Sequence, residues 1–228
     1  MSVQKCTGIF IWEFFVCGGH AEDTAAEREI SGAETGEDEE MKRILITGAG
    51  SYIGTSFEKW LSQPQFAGMY QVDTVDMRGD GWREKDFHGY DTVFHVAGIA
   101  HKRMGKSKRY LYYKINRDLT IKVAQKAKKD GVKQFINMSS MSVYGATDGV
   151  ITKKTKPVPV TDYGKSKLQA DEELTKLQDE NILVAIVRPP MVYGKGCKGN
   201  YHLLEQYIRI FPVFVKIKNE RSMIYVKN

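Results

Sequence analysis

Short apolar runs alternate with helical periods from Met41 onward. The strand candidates are rich in β-branched or aromatic residues and cover residues 44–47, 70–75, 92–96, 134–138 and 183–187. The helix patterns between them cover residues 53–61, 111–129 and 163–180. Strand, helix and strand repeated in this order predict an α/β fold, a doubly wound parallel sheet covered on both faces.

The first forty residues do not share this pattern. Residues 9–17 form an apolar run interrupted by Glu13, and residues 21–40 form an acidic stretch without periodicity. A signal peptide is one interpretation because Lys5 precedes the apolar run, but residues 18–20 make a poor cleavage site. We favour a disordered extension or a wrongly assigned start for residues 1–40, with Met41 as the natural first residue.

Charge is distributed unevenly along the chain. The net charge is +6, yet residues 1–40 hold ten acids and two bases, which leaves 32 bases and 18 acids in residues 41–228. A strongly basic globular part suits a phosphorylated small molecule or a nucleic acid. No apolar run reaches the roughly 18 to 20 residues of a membrane-spanning helix, so no membrane partner is expected. Three cysteines without metal-ligand spacing predict no metal site and fit the reducing cytoplasm.

A glycine-rich turn follows the first strand candidate. Gly48, Gly50 and Gly54 fit a T-G-x-x-G-x-x-G pattern if Ser51 replaces the middle glycine. Such a turn brings the backbone close to a pyrophosphate, and the free amides of the helix that follows bind its charge. The turn therefore predicts a dinucleotide site, with a plain strand-to-helix connection as the alternative. The Ser51 side chain is expected to reduce affinity or reshape the turn.

The cofactor's adenosine ribose is expected at the end of the second strand. Asp76 follows Gly54 by 22 residues, where a carboxylate accepts hydrogen bonds from the ribose and repels a 2′-phosphate. Arg78 would favour NADP instead. We expect NAD from the position of the acid, and an ordinary turn remains the alternative for both residues.

Tyr163 and Lys167 lie four residues apart, hence on one side of a helix. The same stripe continues through Ala170, Leu174 and Leu177, so a lysine on it needs a partner. A tyrosine of pKa near 10 is only about 0.1% ionised at pH 7, and the Lys167 ammonium would lower that pKa. The pair predicts a general base, against the alternative of a snorkelling lysine beside a capping tyrosine.

Serines 139, 140 and 142 follow the fourth strand candidate at the ligand-binding edge of an open α/β sheet. A hydroxyl there could polarise a substrate oxygen and share its proton with Tyr163. Serines are also common in turns. His95 lies within a buried strand and is interpreted as a satisfied core histidine, whereas His101 lies in a loop near the expected site.

These motifs together resemble the extended short-chain dehydrogenase/reductase family, in particular its NAD-dependent epimerase/dehydratase group, which acts on nucleotide sugars. Six matches in order carry the resemblance. They are the 47–54 turn, residues 91–98 as the family's fourth strand, Asn116 with Thr120, Ser139-Ser140 before 143–145, Tyr163 with Lys167, and residues 188–194. The resemblance implies a Rossmann-type domain over residues 41–188 and a partial, truncated substrate-binding region over residues 189–228.

The resemblance also implies roles for individual residues. Tyr163 is similar to the family's base, Lys167 to the lysine that holds the nicotinamide ribose, and Ser140 to the hydroxyl that steadies the sugar oxygen. The implied cofactor-binding residues are Gly48, Gly50, Ser51, Tyr52, Ile53, Gly54, Asp76, Ala97, Gly98, Asn116, Lys167 and Pro190. The implied substrate-binding residues are Ser140, Met191, Asn200 and Arg221.

The function implied is that of an NAD-dependent nucleotide-sugar epimerase, with a UDP- or dTDP-sugar as substrate. Met191 stands where many members have an asparagine, and residues 77–90 are too short to place the family's acid near the adenine. A 4-keto-sugar reductase, a dehydratase and a non-catalytic dinucleotide-binding protein remain alternatives, and a homodimer is left open. The basic clusters at residues 101–109 and 153–156 are interpreted as solvated faces that steer anionic substrates, without specific nucleic-acid binding.

Overall fold

Five parallel strands form the central sheet. The computed structural model describes residues 40–100, 105–145, 149–197, 200–211 and 222–228. The strands are β1 (Lys42–Thr47), β2 (Tyr70–Val75), β3 (Thr92–His95), β4 (Gln134–Met138) and β5 (Leu183–Val187). Their order across the sheet is β2-β1-β3-β4-β5, and every neighbouring pair is parallel. The sequence-based prediction of an α/β fold with a doubly wound parallel sheet is confirmed.

The helices connect these strands. They are α1 (Tyr52–Leu61), α2 (Tyr110–Tyr112), α3 (Thr120–Lys129), α4 (Asp162–Leu177) and α5 (Asn200–Ile210). A π-helical segment, Tyr113–Leu119, joins α2 to α3. Strands β6 (Met191–Tyr193) and β7 (Met223–Tyr225) pair in parallel as a separate two-stranded sheet. Within the described ranges, no helix is long and apolar enough to cross a membrane.

The two faces of the sheet bury different side chains because neighbouring residues of a strand point to opposite sides. On one face Ile44, Ile46 and Phe94 pack with Ile53 and Phe57 of α1. On the other face the core is larger and includes side chains from three strands, α3 and α4: Leu45, Val93, Phe135, Val123, Ala127 and Leu174. The sheet is thus layered between α1 and the α3–α4 pair.

The direction in which successive strands are added across the sheet reverses at β1. The chain moves outward from β1 to β2 and then returns to place β3 on the other side of β1. Such a switch point opens a crevice at the carboxyl ends of the strands, where ligands of open α/β folds bind. Thr47 and His95 end the two strands at this crevice.

The connection between β2 and β3 corrects one expectation. Residues 91–98 were assigned to a fourth strand, but β3 is the third strand of this chain. Residues 76–91 contain a 3₁₀ turn, Gly81–Arg83, and no strand. Trp82, Phe87 and Tyr90 of this connection are buried in the larger core. The segment therefore packs on one face of the sheet and adds no strand to its edge.

Several element boundaries differ by one to three residues from the sequence-based prediction, whereas β2, β4 and β5 have the predicted bounds. Strand β3 ends at His95 and not at residue 96, and α4 runs from Asp162 to Leu177 and not from residue 163 to 180. The middle helix begins at Tyr110, and its π-helical segment was not predicted. A π segment keeps the apolar periodicity of a helix, so sequence spacing alone does not reveal it.

Candidate active site

The glycine turn connects β1 to α1 at the switch point. Gly48 has a φ of +113°, and a Cβ there would approach the Ala97 backbone nitrogen to 2.9 Å. A Cβ on Gly54 would meet Ser51 Oγ at 2.7 Å and Ile46 Cγ2 at 3.1 Å. The turn therefore lies directly against β3 and packs α1 closely on β1, which leaves the amides at the start of α1 facing the crevice.

Ser51 is the N-cap of α1. Its backbone is extended (φ −71°, ψ 150°), and its hydroxyl accepts a hydrogen bond from the Gly54 amide at 3.2 Å. A serine fits this position because the backbone here does not need the left-handed conformation that Gly50, at φ +71°, adopts. The Ser51 hydroxyl thus hydrogen-bonds the first turn of α1. The expectation that Ser51 lowers cofactor affinity stays a prediction.

Tyr52 and Ile53, the two remaining residues of the turn, contribute to the predicted phosphate site through their backbone amides. Ile53 packs its side chain into the core under α1. The Tyr52 hydroxyl is buried beside β6 and β7, since a Cβ on Gly194 would lie 2.8 Å from it, and it has no hydrogen-bond partner in the described part of the chain. The amides of Tyr52 and Ile53 precede the first intrahelical hydrogen bond, which Thr55 donates to Ser51.

Asp76 and Arg78 pair with each other after β2. Arg78 Nε donates to both Asp76 oxygens at 3.0 and 2.9 Å, and its backbone amide donates at 2.9 Å. These hydrogen bonds lower the pKa of Asp76 to about 2. The acid expected to select NAD and the base expected to admit NADP are therefore one ion pair at the end of the crevice. A ligand that binds Asp76 must share it with Arg78.

A cleft of about 1130 Å³ extends from the glycine turn to this ion pair. Its other wall is the π-helical segment with Tyr110 before it and Lys122 after it. Cations outnumber acids in the lining, where Asp76, Asp80 and Asp118 face Arg78, Arg83, Lys114, Arg117 and Lys122. The cleft is shaped and charged for an elongated anion that carries phosphate groups.

Ala97 and Gly98 join this cleft to the predicted base. Ala97 abuts Gly48, and a Cβ on Gly98 would lie 3.1 Å from Asn116 Oδ1 and 3.4 Å from Lys167 Nζ. Gly98, which lines the cleft, therefore packs directly against Asn116 and Lys167. Six of the implied cofactor-binding residues line this cleft: Gly48, Gly50, Ser51, Asp76, Ala97 and Gly98. The cofactor roles of all twelve stay predictions.

Lys167 is buried, as the stripe on α4 predicted, whereas Lys165 is exposed. Its ammonium donates to the Met138 carbonyl at the end of β4 at 2.8 Å. Burial lowers the pKa of Lys167 to about 8, and the nearby Asp171 carboxylate opposes that decrease. The sequence predicted that a lysine on this stripe needs a partner. That partner is the Met138 carbonyl at the end of β4, which holds the ammonium at the carboxyl edge of the sheet.

Tyr163 and Ser140 meet at the same edge. The Ser140 hydroxyl hydrogen-bonds the Tyr163 phenol, and the Tyr112 ring packs edge-on against Tyr163 with centroids 6.0 Å apart. Burial raises the pKa of Tyr163, and the Ser140 hydrogen bond opposes the increase. The sequence led us to expect the Lys167 ammonium to lower this pKa. In the structure burial dominates instead, because it disfavours the charged phenolate.

Asn116 lies on the π-helical segment and is fully buried. Its Oδ1 accepts from the Ile99 amide at 2.8 Å, and its Nδ2 donates to the Ile99 carbonyl at 3.0 Å and to Ser166 Oγ at 3.3 Å. The side chain joins the segment after β3 to α4. This is the supporting position that the resemblance implied, and π segments are frequent at functional sites.

His95 is a satisfied core histidine. Thr47 Oγ1 lies 2.6 Å from Nδ1, and Thr120 Oγ1 lies 3.0 Å from Nε2. Burial, assisted by the positive charge of Lys167, lowers the pKa of His95 to about 3. The ring is therefore neutral and links β1, β3 and α3. His101 lies outside the described residues.

The remaining predicted residues divide into placed and unplaced positions. Pro190 follows Pro189, whose carbonyl accepts from the Met141 amide at 3.1 Å, so Pro190 lies beside the Ser140 segment. Met191 begins β6 and is half-buried. Asn200 begins α5, but its side chain is outside the described features, and Arg221 and residues 1–39 are outside the described residues.

One group in the described ranges has metal-ligand geometry. Potential ligand atoms of Asp86, His88 and Asp130 lie within 4.8 Å of one another. Lys126 pairs with Asp130 at 2.7 Å, and its ammonium already supplies the positive charge there. The group does not line the cleft, and the predicted absence of a metal stays a prediction.

Sequence reasoning missed several residues at the site. Lys114, Arg117 and Lys122 line the cleft from the middle helix, and their charge on one helix was a usable signal. Asp171 lies one turn after Lys167 on the buried stripe, which was also visible in the sequence. The Met138 carbonyl left no signal, because any residue has one.

The fold and site define an α/β protein with a cleft at its glycine turn and with a tyrosine, a serine and a lysine at the carboxyl edge of its sheet. The model of the NAD dependent epimerase/dehydratase family matches residues 44–227, and the chain belongs to this family. Among the curated proteins it is 31% identical over 218 residues to UDP-glucose 4-epimerase of Vibrio cholerae, with 85% of this chain and 66% of that protein covered.

A second curated relative agrees with this assignment, and two solved structures share the fold. N-acetyl-alpha-D-glucosaminyl-diphospho-ditrans,octacis-undecaprenol 4-epimerase of Escherichia coli O157:H7 is 32% identical over 201 residues, with 81% of this chain and 60% of that protein covered. The chain thus spans about two-thirds or less of these relatives' length. The fold is similar to UDP-glucuronic acid 4-epimerase from Bacillus cereus (TM-score 0.65, 23% identity, 81% and 69% covered). It is also similar to MoeE5 bound to UDP-glucose and NAD (TM-score 0.64, 24% identity, 81% and 68% covered).

Proposed function

We propose that the protein is an NAD-dependent nucleotide-sugar epimerase that inverts the sugar at C4. Residues 41–188 bind the dinucleotide in this proposal, and residues 189–228 belong to the substrate-binding region. The observation that carries it is that Tyr163, Ser140 and Lys167 meet at the carboxyl edge of the sheet, where Gly98 of the cleft lining packs against Lys167. Two curated relatives at 31% and 32% identity are 4-epimerases, which supports this reaction over others of the family.

The residues present fit a bound dinucleotide. Gly48, Gly50 and Ser51 line the cleft together with Asp76, and the amides of Tyr52 and Ile53 precede the first intrahelical hydrogen bond of α1. In the proposal these amides hold the pyrophosphate, Asp76 binds the adenosine ribose, and Lys167 binds the nicotinamide ribose. NAD, when bound, accepts a hydride from the sugar and returns it to the other face.

The side chains at the cleft's end perform the proton chemistry. Tyr163 takes the proton of the sugar hydroxyl at C4 and later returns it, so the proton and the electron pair balance over the cycle. Ser140 donates a hydrogen bond to the same sugar oxygen. Because burial raises the pKa of Tyr163, the base needs positive charge nearby, which the Lys167 ammonium and the oxidised cofactor ring supply.

Tyr163→Phe tests this proposal. The purified full chain is given NAD and a panel of UDP- and dTDP-sugars, and products are identified by NMR. We expect the variant to bind NAD as the parent does and to lose activity at least 100-fold, since the phenol oxygen is the general base. Tyr70→Phe, a half-buried tyrosine of β2, is the matched control and should keep its activity.

The same assay separates the alternatives. A keto sugar or a deoxygenated product in place of the C4 epimer would assign the chain to a reductase or a dehydratase. NAD binding without any product from the whole panel would support a non-catalytic dinucleotide-binding protein. If Tyr163→Phe turns over at the parental rate, Tyr163 is not the base.

A further inference from the structure

An acid lies buried behind the predicted catalytic residues. Asp171 is 1% exposed and follows Lys167 by one turn of α4, on the same face. A buried carboxylate is costly unless donors surround it. Three side chains do so: Ser139 Oγ donates at 2.8 Å, Asn137 Nδ2 at 3.2 Å and Arg188 Nε at 2.9 Å.

These donors come from both strands that end at the site. Asn137 is in β4 and Ser139 follows it, directly before Ser140, while Arg188 directly follows β5. Arg188 also donates to the Tyr144 hydroxyl at 3.0 Å, which joins the turn after Ser140 to the same group. Asp171 therefore connects α4 to the segments after β4 and β5. If its carboxylate were removed, Arg188 would lose its buried counter-ion.

The carboxylate also acts on Lys167. Burial lowers the pKa of Lys167 to about 8, and Asp171 opposes that decrease. The other groups near the ammonium are Tyr163 on α4, the neutral His95 ring from β3, and Arg188 on the far side of Asp171. None of these three contributes negative charge at neutral pH.

We propose that Asp171 is a positioning residue, which rests on the proposed function: its carboxylate fixes the Ser139–Ser140 segment against α4 and keeps the Lys167 ammonium protonated. Asp171 does not touch the reacting atoms. It acts through Ser140, whose position depends on Ser139, and through the charge of Lys167. Both effects require the ionised carboxylate, because only the charged form makes an ion pair with Arg188 and attracts the Lys167 ammonium.

The test follows the titration of Lys167 directly. The full chain is labelled with ¹³C- and ¹⁵N-lysine, and the Lys167 resonance is assigned by its loss in Lys167→Met. We expect Asp171→Asn to move the Lys167 midpoint down by about one pH unit, a tenfold change in its protonation equilibrium. Asp171→Glu restores the charge and should recover at least half of the shift.

Glu173→Gln is the matched control. It removes an acid from the same helix whose partner, Lys176, is exposed, and it should leave the Lys167 midpoint unchanged. A purely structural role for Asp171 would lower the melting temperature of Asp171→Asn without moving the Lys167 midpoint, and that result would overturn the proposal. The titration needs neither NAD nor a sugar nucleotide, so it stands or fails independently of the proposed function.

Turnover gives a second readout where the parent is active. Asp171→Asn keeps less of the Lys167 ammonium as the pH rises toward about 8, so its rate relative to the parent should fall with increasing pH over this range. An equal loss of rate at every pH would contradict the proposal.

Ser139→Ala provides the test if Asp171→Asn does not fold. It removes one donor to the carboxylate: burial raises the pKa of Asp171, and the Ser139 hydrogen bond opposes that increase. The acid then holds its charge less well, so the Lys167 midpoint should fall in the same direction by a smaller amount. A midpoint equal to that of the parent would reject the role of Asp171.

Discussion

Individual buried polar residues determine the chemistry at the sheet edge. Lys167, Asp171, Asn116 and His95 are all less than 9% exposed, and each has a side-chain or backbone partner at 3.3 Å or less. Burial without a partner would cost each of them several kcal/mol. The fold therefore buries charged and polar groups at the site, and their desolvation lowers the free energy of unfolding.

Lys167→Met should change how stability depends on pH. The pKa of Lys167 is 10.5 in its ordinary state and about 8 in the fold, so the unfolded chain binds more protons between these values. Parental stability then rises with pH across this window by about 3 kcal/mol, which the variant lacks. At pH 7 the gain from removing the buried charge is offset by the unpaired Met138 carbonyl, at about 1–3 kcal/mol.

Urea unfolding at pH 7 and pH 10 measures the effect. The advantage of Lys167→Met over the parent should decrease by about 3 kcal/mol from the lower to the higher pH. Lys165→Met, on the exposed side of the same helix, should follow the parent at both values. Equal differences at both pH values would mean that Lys167 is not desolvated.

At the scale of elements, helix α1 depends on its first residues. The glycine turn directs the helix start into the crevice, and the Ser51 cap fixes where the helix begins. The π-helical segment forms the opposite wall and holds Asn116. The start of α1 and the π-helical segment thus form two walls of the cleft, and the segments that follow β1, β2 and β3 complete its lining.

Ser51→Ala should destabilise the protein by about 1 kcal/mol, because the Gly54 amide loses its acceptor. Ser56→Ala is the control within the same helix, since the Ser56 hydroxyl bonds back to the Tyr52 carbonyl and does not cap. Chemical denaturation measures both. A cost for Ser56→Ala equal to that of Ser51→Ala would show that capping is not the cause.

At the scale of the whole molecule, a histidine buried in the core makes the free energy of unfolding depend on pH in the acid range. His95 joins both sides of the switch point, and burial lowers its pKa from 6.5 to about 3. The unfolded chain takes up a proton there below pH 6.5, whereas the folded chain stays neutral down to about pH 3. Folding stability from this residue is therefore present above pH 6.5 and lost as the pH falls.

His95→Gln should reduce this dependence. The parent loses up to about 1.4 kcal/mol per pH unit through His95 below pH 6.5, and the variant does not. The variant is less stable at pH 7, because its side chain replaces a well-packed ring. Denaturation at pH 7 and pH 5 measures the slope, and His88→Gln, an exposed histidine, should retain the parental slope. An unchanged slope in His95→Gln would contradict the assignment.

The amino-acid sequence by itself determined the order of strands and helices, the glycine turn, and the Tyr163–Lys167 face of α4. These features are local, because hydrophobic period and residue spacing set them within one segment. Only the tertiary structure decided that the Met138 carbonyl holds Lys167, that Ser139 and Arg188 surround Asp171, and that the β2–β3 connection contains no strand. Those contacts join residues through packing and desolvation, which depend on the neighbours that folding brings together.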